Sequence, residues 1–342
     1  HRPFLRYIKA DGVNVFAVAQ AAQRAVAIAR GERVPVFLHL PCVRLLGHAG
    51  VDNEASYRSQ QDIASSEAND PLLHTAAVLA DAFGLSSAAL VERYLQAEQR
   101  VQRALQAIPQ PVERLSDAAA VSSAIIPPAL RRTVPKAESI GFPDALTYKQ
   151  RWLTAPLTLA QQLNLALTQT LTQLPEAIVF GEDVGPCGGI YRVTQGLQAQ
   201  FGPLRVFDTL LDETTILGQA IGHAHNGFLP IAEIQFLAYL HNAEDQLRAE
   251  AATLPFFSAG QFANPMIVRV ASFATGNGVG GHFHNENSIA VLRDIPGVIV
   301  ACPARPSEAA ALWHACVKLA YEQQRVVVFL EPIALYHEHD LF

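Results

Sequence analysis

The chain has 342 residues, half of them hydrophobic and 16% charged, with a net charge of −6. That balance suits a globular protein with a sizeable core, and it has the wrong sign for a nucleic-acid partner, which needs a basic footprint. No apolar run reaches the roughly 20 residues of a membrane span, and no basic-then-apolar signal segment opens the chain.

The first segment alternates helix and strand. Residues 14–30 (NVFAVAQAAQRAVAIAR) form an Ala-rich helical pattern with Val15, Val18, Ala22 and Val26 on one side and Gly31 as a stop signal. Residues 34–40 (VPVFLHL) are suited to a buried parallel strand. A polar stretch over 47–70 reads as a long, functional loop, and a helical region follows over about 71–108. Residues 109–155 hold six prolines and show no sustained period, which marks a connector between domains 1–108 and 156–342. In the second domain Leu159, Leu163, Leu167, Leu171 and Leu174 repeat at helical spacing. Apolar strands are then expected at 177–181, 204–207, 230–234, 266–270, 298–301 and 326–330, most of them separated by helices. That alternation predicts an α/β fold, a mostly parallel sheet with helices on both faces, and sites at the carboxyl ends of its strands. The four cysteines, Cys42, Cys187, Cys302 and Cys316, form no CxxC pair, which predicts reduced thiols in a cytoplasmic protein. The chain begins with His1 and its one methionine is Met266, so it is expected to be a piece of something longer.

Four motifs bear on chemistry. In residues 210–215 (LLDETT) a strand gives way to a helix with Ile216, Leu217, Ala220 and Ile221 on its apolar side. Asp212 is a natural N-cap, and Glu213 sits in the first turn, where the helix dipole favours an acid. A simple helix-start acid is one explanation; a buried carboxyl sharing a proton with a heterocyclic nitrogen is the other. Gly218 and Gly222, four apart, would let another helix approach closely. The second motif, GEDVG at 181–185 followed by Gly188, Gly189, Ile190 and Tyr191, is either a ligand-facing turn or a structural turn with solvated acids. The third, residues 275–287 (TGNGVGGHFHNEN), lacks the helix that a dinucleotide fingerprint needs. No third ligand accompanies His282 and His284, so no metal site is expected here, and the loop is read as flexible, presenting one histidine to a pocket. The fourth, Arg44, Gly47 and His48 with Tyr57 and Arg58 behind, is suited to an anion such as a phosphate, or is a solvated basic turn.

Taken together these pieces resemble the thiamine-diphosphate-dependent decarboxylating component of the 2-oxo acid dehydrogenases. Residues 157–332 look like the beta-type, pyrimidine-binding half, on GEDVG at 181–185, Gly189-Ile190-Tyr191, Asp212-Glu213, AEIQF at 232–236 with Tyr239, Asp245-Gln246 and the loop holding His284. The stretch 232–239 is most like the branched-chain type. Residues 11 to about 106 look like the end of the alpha-type subunit, on Asp11-Gly12, Arg44, Gly47-His48, Asp52, SYRS at 56–59 and Asp70-Pro71. The order implies an alpha–beta fusion with the transketolase-like fold. The family's GDG motif with its following Asn, which binds Mg²⁺, is absent and expected upstream, and the beta-type carboxy-terminal domain is expected downstream. Ala49 stands where animal relatives carry a phosphorylated serine.

The resemblance implies thiamine diphosphate as cofactor, with Mg²⁺ held outside this segment. Glu213 would hydrogen-bond the aminopyrimidine, Phe236 and Tyr239 would contact its ring, and Glu182 would lie near it. His284 would handle the substrate carboxylate or a proton, while His48 and Arg44 would contact diphosphate or order a loop. The implied reaction is oxidative decarboxylation of a 2-oxo acid with acyl transfer to a lipoyl group on a partner acyltransferase, in a homo-oligomer. An acetoin-cleaving enzyme of the transketolase group and a non-catalytic assembly module are the alternatives.

Overall fold

The computed structural model describes residues 5–47, 53–108, 114, 117–125, 157–274 and 282–340. The chain divides into two units, residues 1–114 and 115–342.

In the first unit, β1 (Arg6–Lys9) and β2 (Val36–His39) pair in parallel, joined by α1 (Val15–Gly31). Asn14 caps α1, its side chain accepting from Phe16 N at 3.0 Å and Ala17 N at 3.2 Å, which satisfies two of the free amides at a helix start. The expectation of a buried strand here needs correction. Phe37 is 56% exposed and Tyr7 59%, because the sheet has only two strands and nothing among the described residues covers its outer face. The helix side chosen by periodicity fares likewise: Val15 and Val26 are exposed, and Ala21 is the buried residue.

Nor is 47–70 a continuous loop, since Ser59 caps a helix, α2 (Gln60–Ala68), through Asp62 N at 3.1 Å. The helical region that follows is two helices, α3 (Pro71–Phe83) and α4 (Ser87–Gln106). Gly84 ends the first with φ of 67°, a left-handed turn that an L side chain resists, and Ser86 caps the second.

A short helix, α5 (Ala118–Ile125), precedes the main body of the second unit. That body comprises α6 (Leu159–Gln173), β3 (Ala177–Gly181), α7 (Leu197–Phe201), β4 (Val206–Asp208), α8 (Glu213–His225), β5 (Leu229–Ile234) and α9 (Leu237–Leu240). A π-helical stretch, Gln246–Ala252, and short helices α10 (Leu254–Phe257) and α11 (Ala290–Arg293) lie around β6 (Met266–Ser272). The series ends with β7 (Val298–Ala301), α12 (Pro306–Gln323) and β8 (Val326–Pro332). All six strands are parallel, in the order β4-β3-β5-β6-β8-β7.

Successive strand residues point to opposite faces, so each apolar strand feeds two cores. Val179, Ile231, Ile267, Val327 and Phe329 pack with α6 and α12, around Trp313. Ile178, Phe180, Ala232, Val268 and Val328 pack instead with Ile216, Leu217 and Ala220 of α8 and with Leu237 and Leu247. All five leucines of the helical repeat from Leu159 are buried. The sheet is thus dry on both faces, as all-parallel sheets require. No helix among the described residues is long and apolar enough to cross a membrane.

Two devices fix β3, one at its amino end and one at its carboxyl end. Arg205 reaches back over the end of α6, donating to Leu171 O at 2.9 Å, Leu174 O at 2.6 Å and Ala177 O at 2.8 Å, so one cation satisfies the carbonyls at the negative end of the helix dipole. Gly181, at the end of β3, lies so close to β5 that a Cβ would stand 2.7 Å from Glu233 O and 2.9 Å from Glu233 Cβ. Arg205→Met, which keeps the stem and strands the carbonyls, is expected to cost about 2 kcal/mol, read as a lower midpoint in urea unfolding. Gly181→Ala is expected to cost about 1–3 kcal/mol by forcing β3 off β5, and the same measurement checks it.

Candidate active site

The turn after β3 starts the site. Asp183 takes a left-handed backbone, φ 55°, and its carbonyl accepts from Gly189 N at 2.7 Å. Thr194 Oγ1 donates to Val184 O at 2.8 Å, and Gly185 N donates to Asp208 Oδ1 at 2.6 Å, tying the turn to the end of β4. The two acids of the turn then differ in kind. Asp183 is exposed, whereas Glu182 is buried, 7% exposed. Burial holds the Glu182 carboxyl above the usual range, and the negative charges of Glu213, Asp183 and Glu233 push it the same way.

Glu213 is also 7% exposed, so it is no solvated helix-start acid. Asp212 caps α8 by accepting from Thr215 N at 3.1 Å, which leaves the Glu213 side chain at the first helical position, in the positive end of the dipole. Asn242 Nδ2 donates to Glu213 Oε2 at 3.2 Å, and Thr214 Oγ1 donates to Asn242 O at 2.9 Å. Oε1 of Glu213 has no hydrogen-bond partner among the described residues. Asn242 was not among the residues singled out from sequence. Its signal was there: it lies three positions beyond Tyr239, one helical turn along, so it shares a side with that ring.

An aromatic group stands beyond β5. Phe236 is buried and meets the His284 ring edge-on, with centroids 4.4 Å apart and planes at 85°. Tyr239 lies edge-on to Phe236 at 5.5 Å, and its hydroxyl is 3.0 Å from His284 Nε2. Tyr191, from the loop after GEDVG, meets Phe236 edge-on at 6.2 Å and stacks on Tyr336 at 4.5 Å. Such edge-on and offset pairs are the favoured arrangements of rings with a negative face and positive rim.

Below the rings lies a buried ion cluster. Arg269 of β6, 2% exposed, binds Glu331 of β8 through two nitrogens, at 2.6 and 2.9 Å, and Glu233 of β5 at 2.6 Å. Tyr336 donates its hydroxyl to Glu331 Oε2 at 2.7 Å. Two carboxylates and one guanidinium leave a formal charge of −1. Burial pushes the Glu233 carboxyl up, against the pull of Arg269. A small pocket opens here, lined by Gly189, Tyr191, Gln235 and Val270 as well as the cluster. Glu213 and His284 do not line it. Arg269 and Glu331 were not singled out in the sequence, although each interrupts an apolar run, MIVRV and VVVFLEP, where a lone charge must find a partner.

The second unit therefore brings together Glu182, Glu213, Phe236, Tyr239 and His284 at the carboxyl ends of β3 and β5. Arg44 belongs to the first unit and is already engaged there. It lies 3.5 Å from Glu54 Oε1 and donates to Tyr57 Oη at 3.2 Å. Arg58 binds the same Glu54 oxygen at 3.1 Å, so both cations of the expected anion site share one carboxylate. His48, Ala49 and Asp52 lie outside the described residues, as do all of residues 275–281. Among the described residues no three His, Cys, Asp or Glu side chains are grouped to hold a metal.

Comparison with known proteins gives two family matches. Residues 155–338 match the family model of the transketolase pyrimidine binding domain, and residues 4–113 match that of the dehydrogenase E1 component. The 2-oxoisovalerate dehydrogenase subunit beta of Pseudomonas aeruginosa is 40% identical over 182 residues, 53% of this chain and 50% of that protein. The pyruvate dehydrogenase E1 component subunit beta of Acholeplasma laidlawii is 39% identical over 183 residues, 53% and 54% of the two chains. A mitochondrial 2-oxoisovalerate dehydrogenase subunit beta of Dictyostelium discoideum is 39% identical over 181 residues, 53% and 47%. The chain spans about half the length of these curated relatives. The family models fall on the polypeptide in the order alpha-type, then beta-type, and each covers the unit in which the matching motifs lie. The chain belongs to the transketolase pyrimidine-binding-domain family, and a segment matching the dehydrogenase E1 component precedes that domain on the same polypeptide.

Proposed function

We propose that the second unit forms the pyrimidine side of a thiamine-diphosphate site, and that the protein carrying it decarboxylates a 2-oxo acid oxidatively and passes the acyl group to a lipoyl group on a partner acyltransferase. The observation that carries this reading is the state of Glu213. It is a buried carboxylate with one oxygen held by Asn242 and the other unpartnered among the described residues. Glu182 lies near enough to repel it, and no cation pairs with either acid among the described residues. Two buried acids in that condition suit a ligand that brings N–H donors, as an aminopyrimidine does.

When bound, thiamine diphosphate supplies the electron sink for loss of carbon dioxide. Glu213 would hold the proton of the ring nitrogen. Phe236 and Tyr239 would present an aromatic wall to the pyrimidine, and Glu182 would border it. His284, oriented by the Tyr239 hydroxyl, would bind the substrate carboxylate or carry a proton near the reacting carbon. Arg44 and His48 are proposed for the diphosphate, with Mg²⁺ held by residues other than those described. The same reading carries a cytoplasmic homo-oligomer and the domain division 1–108, 109–155 and 156–342.

Two measurements bear on it. In the full-length enzyme, assayed with 2-oxo acids and an artificial electron acceptor, Glu213→Gln is expected to lower turnover by about a hundredfold or more; a variant that turns over like the parent sinks the assignment. Glu182→Gln tests the cost of the paired acids without cofactor. Because the folded state raises the Glu182 pKa, folding binds its proton more tightly, and that contribution is lost as pH rises through the raised value. The variant should therefore gain little in Tm near pH 4 and progressively more towards pH 8, with weaker thiamine-diphosphate binding in a calorimetric titration.

A further inference from the structure

The buried ion cluster does not line the Glu213 site, yet it is joined to that site by a continuous run of side chains. Glu331 is anchored by two bonds from Arg269 and accepts the Tyr336 hydroxyl at 2.7 Å. The Tyr336 backbone is held separately, since its carbonyl accepts from Ala160 N at 3.2 Å. Its ring, 2% exposed, stacks on Tyr191 with planes at 21°. Tyr191 abuts Phe236, and Phe236 abuts His284. Each contact has a preferred geometry, so moving the first ring moves the last.

We propose that Tyr336 is a positioning residue: its hydroxyl, fixed on Glu331, sets the Tyr191 ring, which through Phe236 sets the imidazole of His284 for the reaction. The proposal rests on the reading of His284 as a site residue. Tyr336 suits the task because burial and the neighbouring Glu331 charge hold its phenol well above the ordinary range. It remains a neutral donor to Glu331 at every working pH. Arg269 is itself clamped from both sides by β5 and β8, so the relay starts from the part of the sheet least free to move. Tyr191 adds the adjustable element. It is only half-buried and comes from the loop that Gly189 N ties to Asp183 O.

The test compares two buried tyrosines that both donate to a carboxylate. Tyr321, in the last turn of α12, bonds Glu176, which precedes β3 and so lies at the amino end of the sheet, opposite the carboxyl end where the relay runs. In the full-length protein, labelled with ¹³C-histidine and with the His284 signals assigned through His284→Gln, Tyr336→Leu is expected to shift the His284 ring signals, because Phe236 leaves its edge-on position. Tyr321→Leu should leave them unchanged. Tyr336→Phe, which restores the ring without its anchor, should return the signals part of the way. In turnover, Tyr336→Leu should lower kcat on the order of 10- to 100-fold with cofactor affinity retained, and Tyr321→Leu should not. Should Tyr336→Leu fail to fold, Tyr191→Leu at the half-exposed middle of the relay reads the same coupling. His284 signals that stay in place in the relay variants, or that move equally in the Tyr321 control, overturn the proposal. If they move as expected while Glu213→Gln leaves turnover intact, the relay stands and the thiamine reading falls.

Discussion

The arrangement of the second unit turns on Arg269, a charge on β6, the strand that lies between β5 and β8 in the sheet. The sheet is apolar on both faces, so a guanidinium in its middle can survive only if carboxylates from the adjacent strands meet it. Glu233 and Glu331 do so, which aligns the carboxyl ends of β5, β6 and β8 in one register. Buried ion groups of this kind add little net stability compared with apolar packing, because desolvation cancels most of the attraction, but losing one partner is severe. Their effect here is to specify position: the strand ends that carry Glu233, Phe236 and the Tyr191 contact cannot slide independently.

Around that fixed edge the site holds acids in conditions that favour a ligand over the empty protein. Glu182 and Glu213 are buried where β3 ends and α8 begins, and the Glu213 charge helps to hold the Glu182 carboxyl above its usual range. A fold selected for stability alone would place glutamines there. Retaining two carboxylates has a physical sense if a hydrogen-bond donor arrives between them, and the family to which the chain belongs provides one in the aminopyrimidine ring of its cofactor. The aromatic group of Phe236, Tyr239 and His284 then closes the apolar side of the same strand ends.

The two units differ in how far they are closed by their own residues. The second buries both faces of six strands under α6, α8 and α12. The first shows Tyr7 and Phe37 on an uncovered two-stranded sheet, with large apolar residues such as Leu72, Phe83 and Tyr94 exposed on its helices. A two-stranded sheet is marginal on its own.

Much of the architecture was legible without coordinates. Continuous apolar strand runs, the 3.6-period leucines from Leu159 and the cap at Asp212 follow from local physics, and they determined a parallel α/β sheet with Glu213 at a strand-to-helix junction. The motif at 181–185 and the Phe236–Tyr239 spacing determined which loops to watch. Tertiary structure alone decided burial and partnership. Nothing local shows that Glu213 is buried while Asp183 is exposed, that Arg44 is already engaged by Glu54, or that Val15 and Phe37 face outward where pattern put them inside. Nor can any window of sequence show that Arg269 meets Glu331, 62 residues away, or that Tyr336 stacks on Tyr191. The reason is physical: periodicity reports which side of an element is apolar, whereas the energy of a charge or a ring depends on what the distant chain brings to it.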